Sequence, residues 1–183
     1  DDRHALGSDA FLGYMKDIEF LAEDYIQCLD RFEKPIDYRL SSKILQLMTK
    51  SRRDFFCPAG ERMFGVSVDG DVYPCSLHVG REAMRLGHVK DTISNDAVST
   101  FRHRFGIYGQ TQCIGCWNRH LCGGGCSAMT DRFGSDDCRV LMKESEAAIV
   151  VYHYFAENDP LKLLSLVSPA TVRWAYGLNS DKP

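Results

Sequence analysis

Four cysteines within a 14-residue stretch constrain this chain more than any other feature of its sequence. The stretch is CIGCWNRHLCGGGC, residues 113–126. Two cysteines separated by two residues can direct both sulfurs to one iron or zinc centre, because a tight turn carries them round it. Three glycines separate the last two cysteines, and glycine adopts backbone angles that other residues avoid. The spacing therefore indicates a thiolate–metal site.

The whole chain has 183 residues and eight cysteines, namely Cys28, Cys57, Cys75, Cys113, Cys116, Cys122, Cys126 and Cys138. In a secreted chain this number would suggest four disulfides. The local spacings favour metal ligation, with disulfides or free thiols as the alternative and zinc as the rival metal. A thiolate–metal site indicates a reducing compartment, so we expect a cytoplasmic protein.

Composition excludes two classes of partner. The formal net charge is −3, and 44% of the residues are hydrophobic, which is typical of a globular chain. Because no basic excess appears, we expect no nucleic-acid partner. No apolar run approaches the ~18–20 residues that span a bilayer, so we expect no membrane association.

Helical periodicity flanks the cysteine-rich segment. Apolar side chains at steps of three and four predict a helix over residues 9–32. Cys28 lies on the apolar face of that helix, so we interpret it as a buried side chain, with an eighth ligand as the alternative. Further predicted helices are a short one capped by Ser41 or Ser42, one over 92–106, one opened by Cys138 and one starting at Ser168.

A β-hairpin is predicted over residues 63–75, MFGVSVDGDVYPC. Two short β-prone runs surround Asp69-Gly70, a dipeptide that favours a type I′ turn with positive φ at both central residues. Cys57 and Cys75 bracket the hairpin. We therefore expect their thiols to lie at the same edge of it.

The order and spacing of seven cysteines resemble the SPASM domain of radical S-adenosylmethionine peptide maturases. The family pattern is Cys-x9-15-Gly-x4-Cys, then Cys-x2-Cys-x5-Cys-x3-Cys, then a last cysteine. The chain fits it with Cys57, Gly70 and Cys75, then with 113–126, then with Cys138. The segments VSVDGDVYPC, RLGHV and LCGGGC are also similar to the family.

The resemblance implies two [4Fe-4S] clusters with interleaved ligands. Cys57, Cys75 and Cys126 would hold auxiliary cluster I. The ligands of auxiliary cluster II would be Cys113, Cys116, Cys122 and Cys138. Some family members close cluster I with a further cysteine, six residues after the first, where this chain has Met63. The fourth ligand of cluster I is therefore left open among water, a substrate group, Cys28 and another side chain.

The resemblance also implies a partner domain. In the family, a catalytic barrel binds S-adenosylmethionine on a third [4Fe-4S] cluster, which is held by Cys-x3-Cys-x2-Cys. Cys122 and Cys126 have the first spacing, but Met129 stands at the third position. We therefore expect this chain alone to be inactive on S-adenosylmethionine. We also expect it to be a piece of a longer protein whose barrel precedes it.

The expected function is that of an auxiliary cluster domain in an oxidoreductase-type enzyme that modifies a peptide or protein. Its clusters would serve electron transfer, substrate binding or both. Expected partners are the peptide or protein substrate, the N-terminal barrel, and an electron donor or acceptor protein. The alternative is a non-catalytic binding module stabilised by zinc or by a cluster.

We predict an α+β fold with a small cysteine-rich core, which contains the β-hairpin and two cluster-binding loops and is flanked by helices. The predicted domains are a helical arm at 1–54, the SPASM domain at 55–140 and a C-terminal helical extension at 141–183. Trp117 lies between ligands of cluster II and is predicted to shield that cluster from water. We interpret His78, His88 and His120 as surface or hydrogen-bonding residues rather than ligands. Three arginines could offset cluster charge, but we interpret them as part of a solvated face, namely Arg102, Arg104 and Arg119.

Overall fold

The computed structural model describes residues 8–168 and, within them, the side chains of 9–129 and 137–168. The elements are α1 (Ser8–Asp30), α2 (Tyr38–Thr49), β1 (Gly65–Val66), β2 (Asp71–Tyr73), β3 (Gly87–His88), α3 (Asn95–Phe105), α4 (Thr111–Ile114), α5 (Arg119–Cys122) and α6 (Thr130–Asn158). The predicted α+β class is confirmed. The helix predicted to start at Ser168 falls outside the described residues.

The chain divides into two compact units. One unit spans Arg52–Cys138 and contains seven of the eight cysteines. The other combines the residues up to Ser51 with those from Arg139 onwards. The described helices include none that is long and apolar enough to cross a membrane.

The helical unit is built on the predicted apolar face of α1. Ile18, Tyr25 and Leu29 are buried there, and they belong to one core with residues of α2 and α6. Burying each such side chain stabilises the fold by about 1.5–3 kcal/mol. This gain explains why apolar residues at steps of three and four correctly predicted the buried face of α1.

Two predicted helix starts are wrong. Asp37 rather than a serine caps α2, because its carboxylate accepts a hydrogen bond from the Leu40 amide at 2.8 Å. Ser41 lies inside the helix, and its hydroxyl is 3.0 Å from the Tyr25 hydroxyl. Cys138 does not open a helix, since α6 begins at Thr130.

The sheet confirms the hairpin but not its turn type. Strands β1 and β2 pair antiparallel, with Gly65 opposite Tyr73. Gly70 has a φ of +94°, whereas Asp69 is not among the described residues with positive φ. The turn is longer than type I′, since the Gly70 amide donates to the Ser67 carbonyl at 3.0 Å. The sequence analysis also missed β3, which pairs antiparallel with β2.

Candidate metal centres

Cys57 lies in a loop that folds back beside Cys75. The Gly60 amide donates to the Pro74 carbonyl at 2.9 Å, and the Met63 amide donates to the Pro58 carbonyl at 3.1 Å. Because Pro74 directly precedes Cys75, these bonds bring the two cysteines into the same region of the hairpin. This is the placement that the bracketing of the hairpin predicted.

Strand β1 also approaches Cys75 very closely. A Cβ on Gly65 would lie 2.6 Å from the Cys75 carbonyl oxygen and 2.7 Å from its carbonyl carbon. Both contacts are with backbone, which cannot turn aside as a side chain can. Glycine is therefore required at this position to keep the Cys75 backbone against the hairpin.

The glycine run between Cys122 and Cys126 forms a left-handed turn. Gly123, Gly124 and Gly125 have φ values of +82°, +94° and +81°. Gln110 is buried beside the turn, and its side-chain amide donates to the Gly124 carbonyl at 2.9 Å. The unusual backbone angles predicted for these glycines are confirmed. Other residues would be strained at three consecutive positive φ values.

Cys57, Cys75 and Cys126 interact electrostatically, and we call them the first cysteine group. Burial is the largest cause that raises the pKa of the Cys57 thiol. Cys126 and Cys75 raise it further, while the Ala59 amide, which hydrogen-bonds the sulfur, and Arg102 lower it. The structure therefore brings together the three cysteines that the resemblance implies for cluster I.

The other four cysteines form the second cysteine group, which consists of Cys113, Cys116, Cys122 and Cys138. Burial raises the pKa of Cys113 to about 11, with further contributions from Cys122, Cys138 and Cys116. Burial also raises the pKa of Cys138, followed by the effects of Cys122 and Cys116. The set is the one implied for cluster II, and its role as ligands stays a prediction.

One family model matches part of the chain. Residues 57–117 match the family model of SPASM, described as an iron-sulfur cluster-binding domain. Over these residues the chain is similar to a SPASM domain. Such domains bind iron–sulfur clusters and are typically found in radical S-adenosylmethionine maturases. The match includes four of the seven grouped cysteines, Cys57, Cys75, Cys113 and Cys116. No curated protein matches the chain.

In the part of the chain that the structure describes, no three His, Cys, Asp or Glu side chains are grouped for one metal ion. A zinc ion holds every sulfur at about 2.3 Å from a single centre, whereas in a four-iron cluster each thiolate binds a different iron.

Metal binding by these cysteines would have to displace protons. The raised pKa values of Cys57, Cys113 and Cys138 mean that these thiols are protonated at neutral pH. Only the thiolate is a good metal ligand. A bound metal would therefore have to supply the positive charge that offsets burial and the mutual repulsion of the thiolates.

The eighth cysteine lies in the helical unit. The Cys28 sulfur is 4.0 Å from the Asp24 carboxylate and 3.8 Å from a guanidinium nitrogen of Arg31. It is only partly buried on α1, so its predicted burial as an apolar core side chain is wrong. Whether it binds metal stays a prediction.

His78 joins the segments that carry Cys75 and Cys126. It is fully buried, and its Nε2 is 3.0 Å from the Ser127 hydroxyl. The hydrogen-bonding role predicted for the core histidines is confirmed. The His88 Nε2 lies 2.9 Å from the Asp69 carbonyl oxygen. The His120 Nδ1 lies 3.4 Å from the Asp54 carboxylate.

Trp117 is 56% exposed, and its role as a shield of cluster II stays a prediction. The interpretation of Arg102 is wrong. Arg102 is not part of a freely solvated face, because it contacts the Cys57 loop. Arg104 is exposed, as predicted. The contacts of Arg102 join residues far apart in sequence, so no local pattern could have indicated them.

Proposed function

We propose that this chain binds two [4Fe-4S] clusters for a radical S-adenosylmethionine enzyme that modifies a peptide or protein. The first cysteine group would hold cluster I, and the second would hold cluster II. The observation that supports the proposal is the separation of seven cysteines into interacting sets of three and four within one unit. The alternation of the two sets along the chain makes a single zinc site a poorer explanation.

The protein's part is to place the clusters and to control access to them. When bound, [4Fe-4S] clusters supply one-electron transfer, and an iron that lacks a protein ligand can bind another group. Three cysteines in the first group leave one such position on cluster I. Met63 is exposed in the loop that carries Cys57. A substrate group, water or a further side chain would complete that position.

The proposal includes partners that this chain does not supply. The motif Cys-x3-Cys-x2-Cys is missing from its sequence. A barrel that carries this motif would generate the radical on the substrate, and an electron donor or acceptor protein would exchange electrons with the clusters. Thiolate ligation would require a reducing compartment, which supports a cytoplasmic location.

The metal content of the chain tests this proposal. After anaerobic reconstitution with iron and sulfide, we expect about eight irons and about eight labile sulfides per chain, from two four-iron clusters. The chain alone should produce no 5′-deoxyadenosine from S-adenosylmethionine. Stoichiometric zinc without labile sulfide, after strictly anaerobic purification, would contradict the proposal and support a zinc-stabilised binding module.

A further inference from the structure

Arg102 reaches from α3 into the loop that carries Cys57. Its Nη1 donates to the Ala59 carbonyl at 3.2 Å, and its Nη2 is 3.0 Å from the Glu61 carboxylate. Its guanidinium carbon also lies 4.5 Å from the centre of the Phe55 ring. These three contacts fix the position of the positive charge.

Ala59 links this charge to a predicted cluster ligand. The Ala59 amide hydrogen-bonds the Cys57 sulfur, while the Ala59 carbonyl accepts the bond from Arg102. Ala59 is fully buried. Ala59 therefore connects the guanidinium to the thiol through one hydrogen bond at its carbonyl and another at its amide.

The charge of Arg102 is poorly screened by water. Its side chain is 29% exposed, whereas the Glu61 side chain that pairs with it is 52% exposed. A partly buried charge acts through a lower effective dielectric constant than an exposed one does. The field of Arg102 at Cys57 should therefore exceed that of an arginine on the open face of the same helix.

We propose that Arg102 raises the reduction potential of cluster I and that Glu61 partly offsets this effect. The inference rests on the proposed function, because it requires a cluster on the first cysteine group. The potential of an iron–sulfur cluster depends on nearby charge and on hydrogen bonds to its sulfurs. Reduction adds one electron, so the cluster becomes more negative and a fixed cation beside Cys57 stabilises the reduced form.

The two residues should shift the potential in opposite directions. Replacing Arg102 by Gln removes the cation, so cluster I should become harder to reduce. Replacing Glu61 by Gln removes the opposing carboxylate, so cluster I should become easier to reduce. A role of Arg102 in folding alone would not produce this change of sign.

The test is a redox titration of the reconstituted chain with dithionite, followed by electron paramagnetic resonance. For Arg102→Gln we expect at least a tenfold fall in the equilibrium constant for one-electron reduction of cluster I, which is about 59 mV. Glu61→Gln should shift the potential upwards. Arg104→Gln is the matched control, since it removes the same charge from an exposed position on α3. It should leave cluster I unchanged, and cluster II is the internal reference in every variant.

An unchanged potential of cluster I in both Arg102→Gln and Glu61→Gln, with full iron content, would overturn the inference. An equal shift of both clusters would overturn it too. If Arg102→Gln fails to hold iron, Glu61→Gln decides the question, because an exposed carboxylate can be replaced without loss of the fold. Failure of the wild-type chain to bind any cluster would instead contradict the proposed function.

Discussion

The Gly123→Ala variant should lose iron from both cysteine groups and unfold at a clearly lower urea concentration. Gly123 has a φ of +82°, and a Cβ there would lie 2.7 Å from the Phe55 carbonyl carbon. The turn must therefore shift. Cys122 of the second group directly precedes Gly123, and Cys126 of the first group follows the turn, so displacement of the turn moves a ligand of each cluster.

The Gly80→Ala variant separates this displacement from ordinary backbone strain. Gly80 has nearly the same φ, +81°, but nothing lies within 4 Å of the Cβ position. A left-handed alanine costs about 1 kcal/mol, so Gly80→Ala should lower stability by that amount and keep its iron. Gly123→Ala should cost about 3 kcal/mol or more, because steric displacement adds to the strain. Equal iron content and equal urea midpoints in the two variants would contradict this account.

The His78→Ala variant should lose cluster I and retain cluster II. The His78 ring is fully buried, and it packs edge-on against Phe101 with ring centres 5.5 Å apart. Its hydrogen bond to Ser127 ties the segment that follows Cys75 to the segment that follows Cys126. Removing a buried ring of this size costs about 3 kcal/mol, and here the cavity opens between two predicted ligands of one cluster.

Urea unfolding of the reconstituted chain, with iron analysis and spectroscopy of each cluster, would measure this effect. Ser127→Ala removes the hydrogen bond but keeps the ring, so it should cost about 1–2 kcal/mol. His103→Ala is the control for loss of an exposed histidine and should change stability by less than about 0.5 kcal/mol. Retention of cluster I and of the wild-type urea midpoint in His78→Ala would show that this contact does not hold the site together.

Some of the fold followed from local patterns in the sequence. The apolar period of α1 and the β-prone runs around Gly70 both correspond to observed elements. The glycine run at 123–125 predicted unusual backbone angles, and all three residues have positive φ. In each case spacing and residue type within one segment were sufficient to indicate the structure.

Other features depended on contacts that a local pattern does not contain. Ser41 has the chemistry of a cap, yet its hydroxyl pairs with Tyr25, sixteen residues away in the sequence. The start of α6 at Thr130 placed Cys138 inside a helix instead of at its first turn. Strand β3 has only two residues and exists because β2 pairs with it.

The candidate site also has some features that local sequence patterns predicted and others that depend on distant contacts. The spacing of the seven cysteines supported a resemblance that named two ligand sets, and those sets interact in the structure. The surroundings of the site were not predictable in this way. Arg102 and Ala59 are 43 positions apart, so their contact follows from how α3 packs on the Cys57 loop.

Iron retention in paired cysteine variants tests the central claim, two separate four-iron sites, most directly. Replacing Cys113 and Cys116 by alanine should remove cluster II, and replacing Cys57 and Cys75 should remove cluster I. Each double variant should retain about half of the wild-type iron if the two sites load independently. The control Cys28→Ala should retain all of it. Full iron in either double variant, or loss of all iron in both, would contradict the account.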